Sequence, residues 1–240
     1  MINRKIVTSE DGSRTLKLDD FDESFHSLFG AFTESRHIYT GCGLEYIIQK
    51  STGQKRVINI LEVGLGTGLN CLLTAMTAKN NPDISINYTA VEKYPVTIAE
   101  AKELDHPSLF DDERDTAEII SVKIHDSPWG EDFKLLPNFT LKKVEMDFLR
   151  FINKESFTTM SGSPFDLIYF DAFAPDIQPE LWCEDLFIKV FEITKQDGVL
   201  VTYSSKGIVK RALRSAGFTV SRLKGPKGKR HILRAEKLSL

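Results

Sequence analysis

Residues 57–70 read VINILEVGLGTGLN, and this stretch decides the fold. Val57, Ile58, Ile60 and Leu61 form a short apolar run that stops at a turn carrying Gly64, Gly66 and Gly68. Helix formers resume at Leu69 and continue through Leu72, Leu73 and Ala75. The pattern is strand, glycine turn, helix. Glycines at alternate positions let the backbone come within contact distance of a ligand, and they let the helix start tight against the sheet with its free N–H groups facing that ligand.

The spacing narrows the ligand. A dinucleotide fingerprint would read G-x-G-x-x-G, whereas here Glu62 precedes Gly64-x-Gly66-x-Gly68, and no lysine follows to make a P-loop. Acid-x-Gly-x-Gly-x-Gly after a first strand resembles the S-adenosylmethionine loop of class I methyltransferases, in which no pyrophosphate has to be cradled. The competing reading is a glycine turn with no ligand, as in many α/β proteins.

Working outward, 240 residues suit one globular domain with an appendage and allow a substantial core. The formal charge of -3 excludes a wholesale polycation, so any nucleic-acid contact has to come from a local patch. Cys42, Cys71 and Cys183 are odd in number and far apart, with no Cys-x-x-Cys pair, and read as reduced buried thiols of a cytoplasmic protein. The N-terminal residues lack the apolar core of a signal peptide, and no run of about eighteen apolar residues occurs. Neither export nor membrane insertion is expected.

Residues 1–20 read as a hairpin: Ile6 and Val7, a turn at 10–13, then Thr15, Leu16 and Leu18 in alternation. Residues 21–40, FDESFHSLFGAFTESRHIYT, are too polar for core and too aromatic for a free linker. A helix is predicted over 41–50, closed by Ser51-Thr52-Gly53. Strands are predicted at 84–91, 140–145, 165–170 and 198–203, with helices over 95–104, 179–194 and 205–216, and 218–223 and 231–235 close the chain as a pair. Residues 105–139 read as irregular, holding short helices or a functional loop. The expectation is therefore an α/β, Rossmann-like class I methyltransferase fold. It has a seven-stranded, mostly parallel sheet with an antiparallel last strand, over 54–240, preceded by a small N-terminal extension over 1–53.

In open α/β sheets the ligand sits beyond the carboxyl ends of the strands. Glu62, Glu92, Asp147 and Asp171 all fall at such ends. Glu92 lies where an acid accepts hydrogen bonds from ribose hydroxyls, unless it is a solvated acid paired with Lys93. Asp147 would sit by the adenine amino group. Asp171-Ala172-Phe173-Ala174-Pro175 follows the apolar run LIYF, so an aromatic and a proline stiffen a loop that holds one carboxylate at the rim; the plain alternative is an Asp capping the turn. This segment is similar to the Asp-Pro-Pro-Tyr loop of amino-group methyltransferases. Methyl transfer from a sulfonium needs alignment and a free lone pair on the nucleophile, so a carboxylate that orients an amine and takes its proton is the expected catalytic group, and Asp171 fits.

The five histidines make no i, i+4 pair, and no metal site is expected. Arg222, Lys224, Lys227, Lys229 and Arg230 concentrate positive charge with no acid among them, which suits a phosphate backbone or simply a solvated turn.

Taken together, these stretches resemble the methyltransferase half of the tRNA 5-methylaminomethyl-2-thiouridine biosynthesis (MnmC) family, in its stand-alone form. The resemblance rests on His26-Ser27 with Glu34-Ser35-Arg36-His37-Ile38-Tyr39, the 61–70 loop, Val91-Glu92-Lys93-Tyr94-Pro95, the 171–175 segment with Pro179-Glu180-Leu181-Trp182, and Lys224-Gly225-Pro226-Lys227-Gly228-Lys229-Arg230. It implies S-adenosyl-L-methionine as donor, held by Glu62, Gly64, Gly66, Thr67, Gly68, Asn70, Glu92, Lys93, Asp147 and Asp171. It implies tRNA as partner, met by His26, Ser35, Arg36, Phe173, Pro175, Lys224, Lys227, Lys229 and Arg230. The acceptor would be the 5-aminomethyl group of a wobble uridine. The family's FAD-dependent oxidoreductase domain has no room in this chain, so a carboxymethyl intermediate is either not formed or handled by a separate protein. Pro175-Asp176-Ile177-Gln178 departs from the family's more basic loop and leaves contacts there open.

Overall fold

The computed structural model describes residues 3–19, 23–50, 56–153 and 164–238. Phe21, the turn expected at Ser51-Thr52-Gly53 and the expected boundary between 53 and 54 lie outside them.

A small antiparallel sheet comes first, from β1 (Arg4–Thr8), β2 (Arg14–Leu18) and β3 (Glu23–Ser24). A lone hairpin is marginal in water. This one is tied down: Arg4 clamps Glu100, in the first turn of a later helix, at 2.5 and 2.8 Å, and His106 Nε2 donates to the Arg14 carbonyl at 3.0 Å.

Helix then begins ten residues earlier than expected. It runs through α1 (Ala31–Ser35), a π-helical segment (Arg36–Glu45) and α2 (Tyr46–Gln49). Residues judged too polar for core are partly buried, with Glu34, Ser35, Ile38, Tyr39 and Thr40 all inside. The reason is position: Ile38, Tyr39, Leu44 and Ile47 pack into the same cluster as the sheet, and Gly43 lets the helix ride directly on Val201, Tyr169 and Leu167.

The remaining elements are β4 (Arg56–Val63), α3 (Leu69–Lys79), β5 (Ile84–Glu92), α4 (Ile98–Leu104), α5 (Arg114–Asp126), β6 (Asp132–Leu136), β7 (Phe139–Glu145), α6 (Phe148–Ile152), β8 (Phe165–Phe170), α7 (Glu184–Ile193), β9 (Thr194–Thr202), α8 (Gly207–Ser215), β10 (Thr219–Lys224) and β11 (His231–Glu236). The sheet order is β10-β11-β9-β8-β4-β5-β7-β6. The five strands from β9 to β7 are parallel, β11 runs antiparallel to β9 and to β10, and β6 adds an antiparallel edge beside β7. The eighth strand, beyond the seven expected, is β6.

β6 and α5 come from the stretch read as irregular. Ala117, Ile120, Ser121 and Ile124 form the buried face of α5 at helical spacing, a signal diluted in the sequence by the acidic residues before it. Smaller corrections follow from capping. Helix α4 starts at Ile98 because Thr97 and Glu100 form a capping box, and the 179–194 helix is broken at Cys183 into a 3₁₀ turn and α7. Of the three cysteines, which are all free, only Cys71 is fully buried; Cys183 is exposed.

Two cores flank the sheet. Alternation along β4 sends Ile58 and Ile60 to the face covered by α3 and α5, and Leu61 and Val63 to the face covered by α6 and α7. Trp182 meets Phe170 and Phe187 edge-on in the second core, and the two phenylalanines are tilted against each other, with centroids 5.0 to 6.4 Å apart. Each such buried side chain stabilises the fold by roughly 1.5–3 kcal/mol. Registers Val63↔Val91, Val63↔Phe170 and Glu92↔Glu145 bring the carboxyl ends of four strands level. That edge is where the site lies. Among the described residues no helix is long and apolar enough to cross a membrane.

Candidate functional site

The strand ends open into a cleft of about 1110 Å³ including its mouth. Its floor is the glycine turn. Gly64 N donates to the Val91 carbonyl at 2.9 Å and Asp171 N to the Val63 carbonyl at 3.1 Å, so the three loops after β4, β5 and β8 are stitched together. Gly64 has φ +88°, and a Cβ there would stand 2.8 Å from the Asp171 carbonyl oxygen. Only glycine fits that crossing.

Glu92 ends β5 and braces the turn: its carboxylate accepts from Gly66 N at 2.9 Å and from Tyr94 N at 2.7 Å, while still lining the cleft. Each oxygen keeps a lone pair for a ligand. Asp147 caps α6 by accepting from Leu149 N at 2.9 Å and pairs with Lys93 Nζ at 2.9 Å, also on the cleft wall.

Asp171 stands at the centre. Tyr39 Oη donates to one carboxylate oxygen at 2.6 Å and Asn70 Nδ2 to the other at 2.8 Å. Tyr39 reaches it because Tyr169 and Asp171 point to the same face of the sheet, where the π-helical segment packs and the Tyr39 and Tyr169 rings lie 5.3 Å apart. A π-helix in the middle of an α-helical run often marks a functional position. Burial pushes the Asp171 carboxyl up to about 7, against the opposing pull of the Tyr39 and Asn70 hydrogen bonds; Glu34 adds to the rise and Lys229 counters it. The group is thus poised to exchange a proton near neutrality.

Beside it, Lys229 is ion-paired with the buried Glu34 and sits 5.2 Å over the Tyr203 ring, whose hydroxyl donates to the Ala172 carbonyl at 2.9 Å. This pair brings the β10–β11 turn down onto the N-terminal segment. His37 Nε2 donates to the Lys224 carbonyl at 2.8 Å, and Lys227 meets Glu10 at 2.7 Å.

The expected site residues divide clearly. Gly64, Gly66, Glu92, Lys93, Asp147, Asp171, His26, Phe173 and Lys229 line the cleft together. Four residues expected to hold a donor lie behind it instead. Gly68 and Thr67 sit against α5, with Gly68 close to His125. Asn70 acts through Asp171. Glu62 is fully buried, because alternation places it on the same face as Ile58 and Ile60, beneath α3. Neither Glu62 oxygen has a hydrogen-bond partner, Tyr88 and Asn70 are its polar neighbours, and burial holds the carboxyl well above its ordinary range. A wall contact rather than a ligand contact is what its position allows.

The residues expected to face RNA divide as well. Ser35 is fully buried with its hydroxyl unpaired, so its side chain is presented to nothing outside. Pro175 is buried, and Arg36 borders a separate depression with Phe32, Thr40 and Glu45. His26 shares a hydrogen bond with Thr15 Oγ1 at 3.0 Å, and burial, with the nearby His106 and Lys229 charges, holds its ring down to about 3, hence neutral. Lys224, Lys227 and Arg230 are exposed on the turn. Sequence reasoning missed Tyr39's bond to Asp171, Glu34 and Tyr203, whose signal is contact across the chain rather than a local pattern.

Among the described residues, no group of three or more His, Cys, Asp or Glu side chains could hold a metal ion. The cleft wall carries Glu23, Glu34, Glu92, Asp147 and Asp171 against Lys93 and Lys229, an excess of acid that favours cationic ligands. A glycine floor under so acidic a wall suits a nucleoside carrying a sulfonium better than one carrying a diphosphate.

Comparison with known proteins agrees with that chemistry. The family of S-adenosyl-L-methionine-dependent methyltransferases matches residues 131–238. The chain is 30% identical over 246 residues to the tRNA 5-methylaminomethyl-2-thiouridine biosynthesis bifunctional protein MnmC of Burkholderia multivorans, covering 98% of this chain and 35% of that protein. It is 27% identical to the MnmC of a Marinomonas species, covering 86% and 30%. The chain therefore spans about a third of the length of these curated relatives. Among solved structures, MNMC2 from Aquifex aeolicus superposes with a TM-score of 0.74 at 24% identity, covering 98% of this chain and 70% of that one. Spermidine synthase from Thermotoga maritima gives 0.58 at 14% identity, covering 99% and 70%.

Proposed function

Since this chain is a relative of the MnmC methyltransferase domain with a class I S-adenosyl-L-methionine-dependent methyltransferase fold, we propose that it methylates the exocyclic amine of a 5-aminomethyluridine, with or without 2-thiolation, at the wobble position of tRNA. The observation that carries the reading is the Asp171 carboxylate, fixed by Tyr39 and Asn70 at the lip of a glycine-floored cleft. In this reading residues 54–240 carry the donor, residues 1–53 help to frame the acceptor, and the setting is the cytoplasm. In this reading an FAD-dependent oxidoreductase of the same pathway handles any carboxymethyl intermediate.

Gly64, Gly66, Glu92, Lys93 and Asp147 would hold S-adenosyl-L-methionine, which would supply a methyl group on a positively charged sulfur. An aliphatic amine is protonated near neutrality and has no lone pair to offer. Asp171 takes that proton through the free lone pair of a carboxylate oxygen and holds the nitrogen in line. As the nitrogen–methyl bond forms, the carbon–sulfur bond breaks and leaves a neutral thioether, so no acid is required. The acidic wall concentrates both cations. Lys224, Lys227 and Arg230 meet the phosphate backbone.

The test is mass spectrometry of nucleosides from tRNA incubated with the protein and methyl-labelled donor. Labelled 5-methylaminomethyluridine is expected, and its absence while the donor binds would overturn the assignment.

A second reading, a polyamine-type aminopropyl or small-amine transferase, draws on the shared fold with spermidine synthase. Steep salt-dependent binding of tRNA separates the two. A silent RNA-binding relic is separated by calorimetry with the donor.

A further inference from the structure

We propose that Leu28 and Phe29 form a stacking lip at the mouth of the cleft, on which a nucleobase next to the acceptor nucleotide is laid in single-stranded RNA. The inference rests on the RNA reading above and deepens it.

Leu28 and Phe29 are 43% and 49% exposed, adjacent apolar side chains in a fold that buries most of its large ones. They are rigidly presented. Gly30 N donates to the Ser27 carbonyl at 3.2 Å, Phe29 N to Ser27 Oγ at 3.2 Å, and Glu10 N to the Leu28 carbonyl at 2.9 Å. Leu28 itself lines the cleft, so the lip is continuous with the reacting centre. The Phe29 ring rests against the β10–β11 turn at Gly228, where an added Cβ would fall 2.4 Å from ring Cδ2. The turn is thus shaped to seat this ring without covering it.

That same turn carries exposed Lys224, Lys227 and Arg230, and Lys227 meets Glu10 in an open, screened pair. An aromatic surface set among exposed cations is the arrangement that binds single strands, with stacking for the base and charge for the backbone. The geometry also needs such a surface. A base whose substituent must reach Asp171 has to leave its stack, and its neighbours lose a partner when it does. A protein partner would call for a wider apolar patch with a less charged border.

The experiment measures affinity of the full chain for an anticodon stem-loop containing 5-aminomethyluridine, intact or with an abasic residue on either side of it. For the unaltered protein, one of the two abasic loops should bind about tenfold more weakly. Phe29→Ala should bind the intact loop about tenfold more weakly and be indifferent to that abasic change. Phe29→Tyr should restore affinity, and donor binding by all three proteins should match. Equal affinity of Phe29→Ala, or losses that simply add, would overturn the lip while leaving the RNA reading intact. A change in oligomeric state on Phe29→Ala without a change in RNA affinity would assign the patch to a protein contact and overturn it too. Failure of the unaltered protein to bind the intact loop would remove the RNA reading and the lip with it.

Discussion

Tyr39 Oη lies 2.6 Å from the Asp171 carboxylate, a contact between residues 132 positions apart that ties the N-terminal helix to the rim of the central sheet. The hydroxyl stabilises the charged carboxylate, opposing the burial that raises it. In Tyr39→Phe the carboxyl therefore titrates higher, and less of it is ionised at pH 7. The acidic limb of the kcat/KM profile should move to higher pH, with a loss of roughly tenfold at pH 7 that is largely recovered in alkaline buffer. A uniform loss at every pH would mean that Tyr39 only supports packing.

Asp171 should cost the protein stability. Its carboxyl is raised from 3.8 to about 7 in the fold, so its contribution is fully present below pH 3.8 and lost as pH rises through 7. Asp171→Asn should melt higher than the unaltered protein at pH 8, by about 2 kcal/mol, with the gap closing toward pH 4. The same variant should lose roughly two to four orders of magnitude in turnover while binding the donor normally. Parallel melting curves at both pH values would contradict the burial argument.

Gly64 and Gly130 offer a matched pair, with φ of +88° and +83°. A Cβ at Gly130 meets nothing within 4 Å, whereas at Gly64 it would strike the Asp171 carbonyl. Gly130→Ala should lose only the conformational strain, about 1 kcal/mol, and keep its activity. Gly64→Ala should weaken donor binding by tenfold or more in calorimetry, because either the turn or the Asp171 loop must move. Normal donor affinity in Gly64→Ala would remove the glycine floor from the site.

The Lys229–Glu34 pair is mostly enclosed. Lys229→Met leaves Glu34 without its cation and should destabilise the protein by about 2 kcal/mol in denaturant titration. The double variant Lys229→Met with Glu34→Gln should regain part of this. If the single variant unfolds like the unaltered chain, the pair does not hold the turn down.

The order of strands and helices was legible in the sequence because it is written in local periodicity and glycine spacing. Residues 57–70 placed the first strand, the turn and α3, and Glu92, Asp147 and Asp171 could be assigned to strand ends by counting. Helix α5 and strand β6 escaped, since the acidic residues at 111–115 mask the apolar face of α5 and β6 is an edge strand whose place is set by pairing with β7. Tertiary structure alone decided which acids face the cleft. Glu62 and Asp171 look equivalent along the chain, each closing an apolar run, yet one lies beneath α3 and the other opens on the cleft. The difference is made by which residues happen to stand opposite. Beneath the covering helix, burial outweighs what Tyr88 and Asn70 offer Glu62 and raises its carboxyl, whereas Tyr39 and Asn70, brought from remote positions, leave Asp171 balanced between its two protonation states.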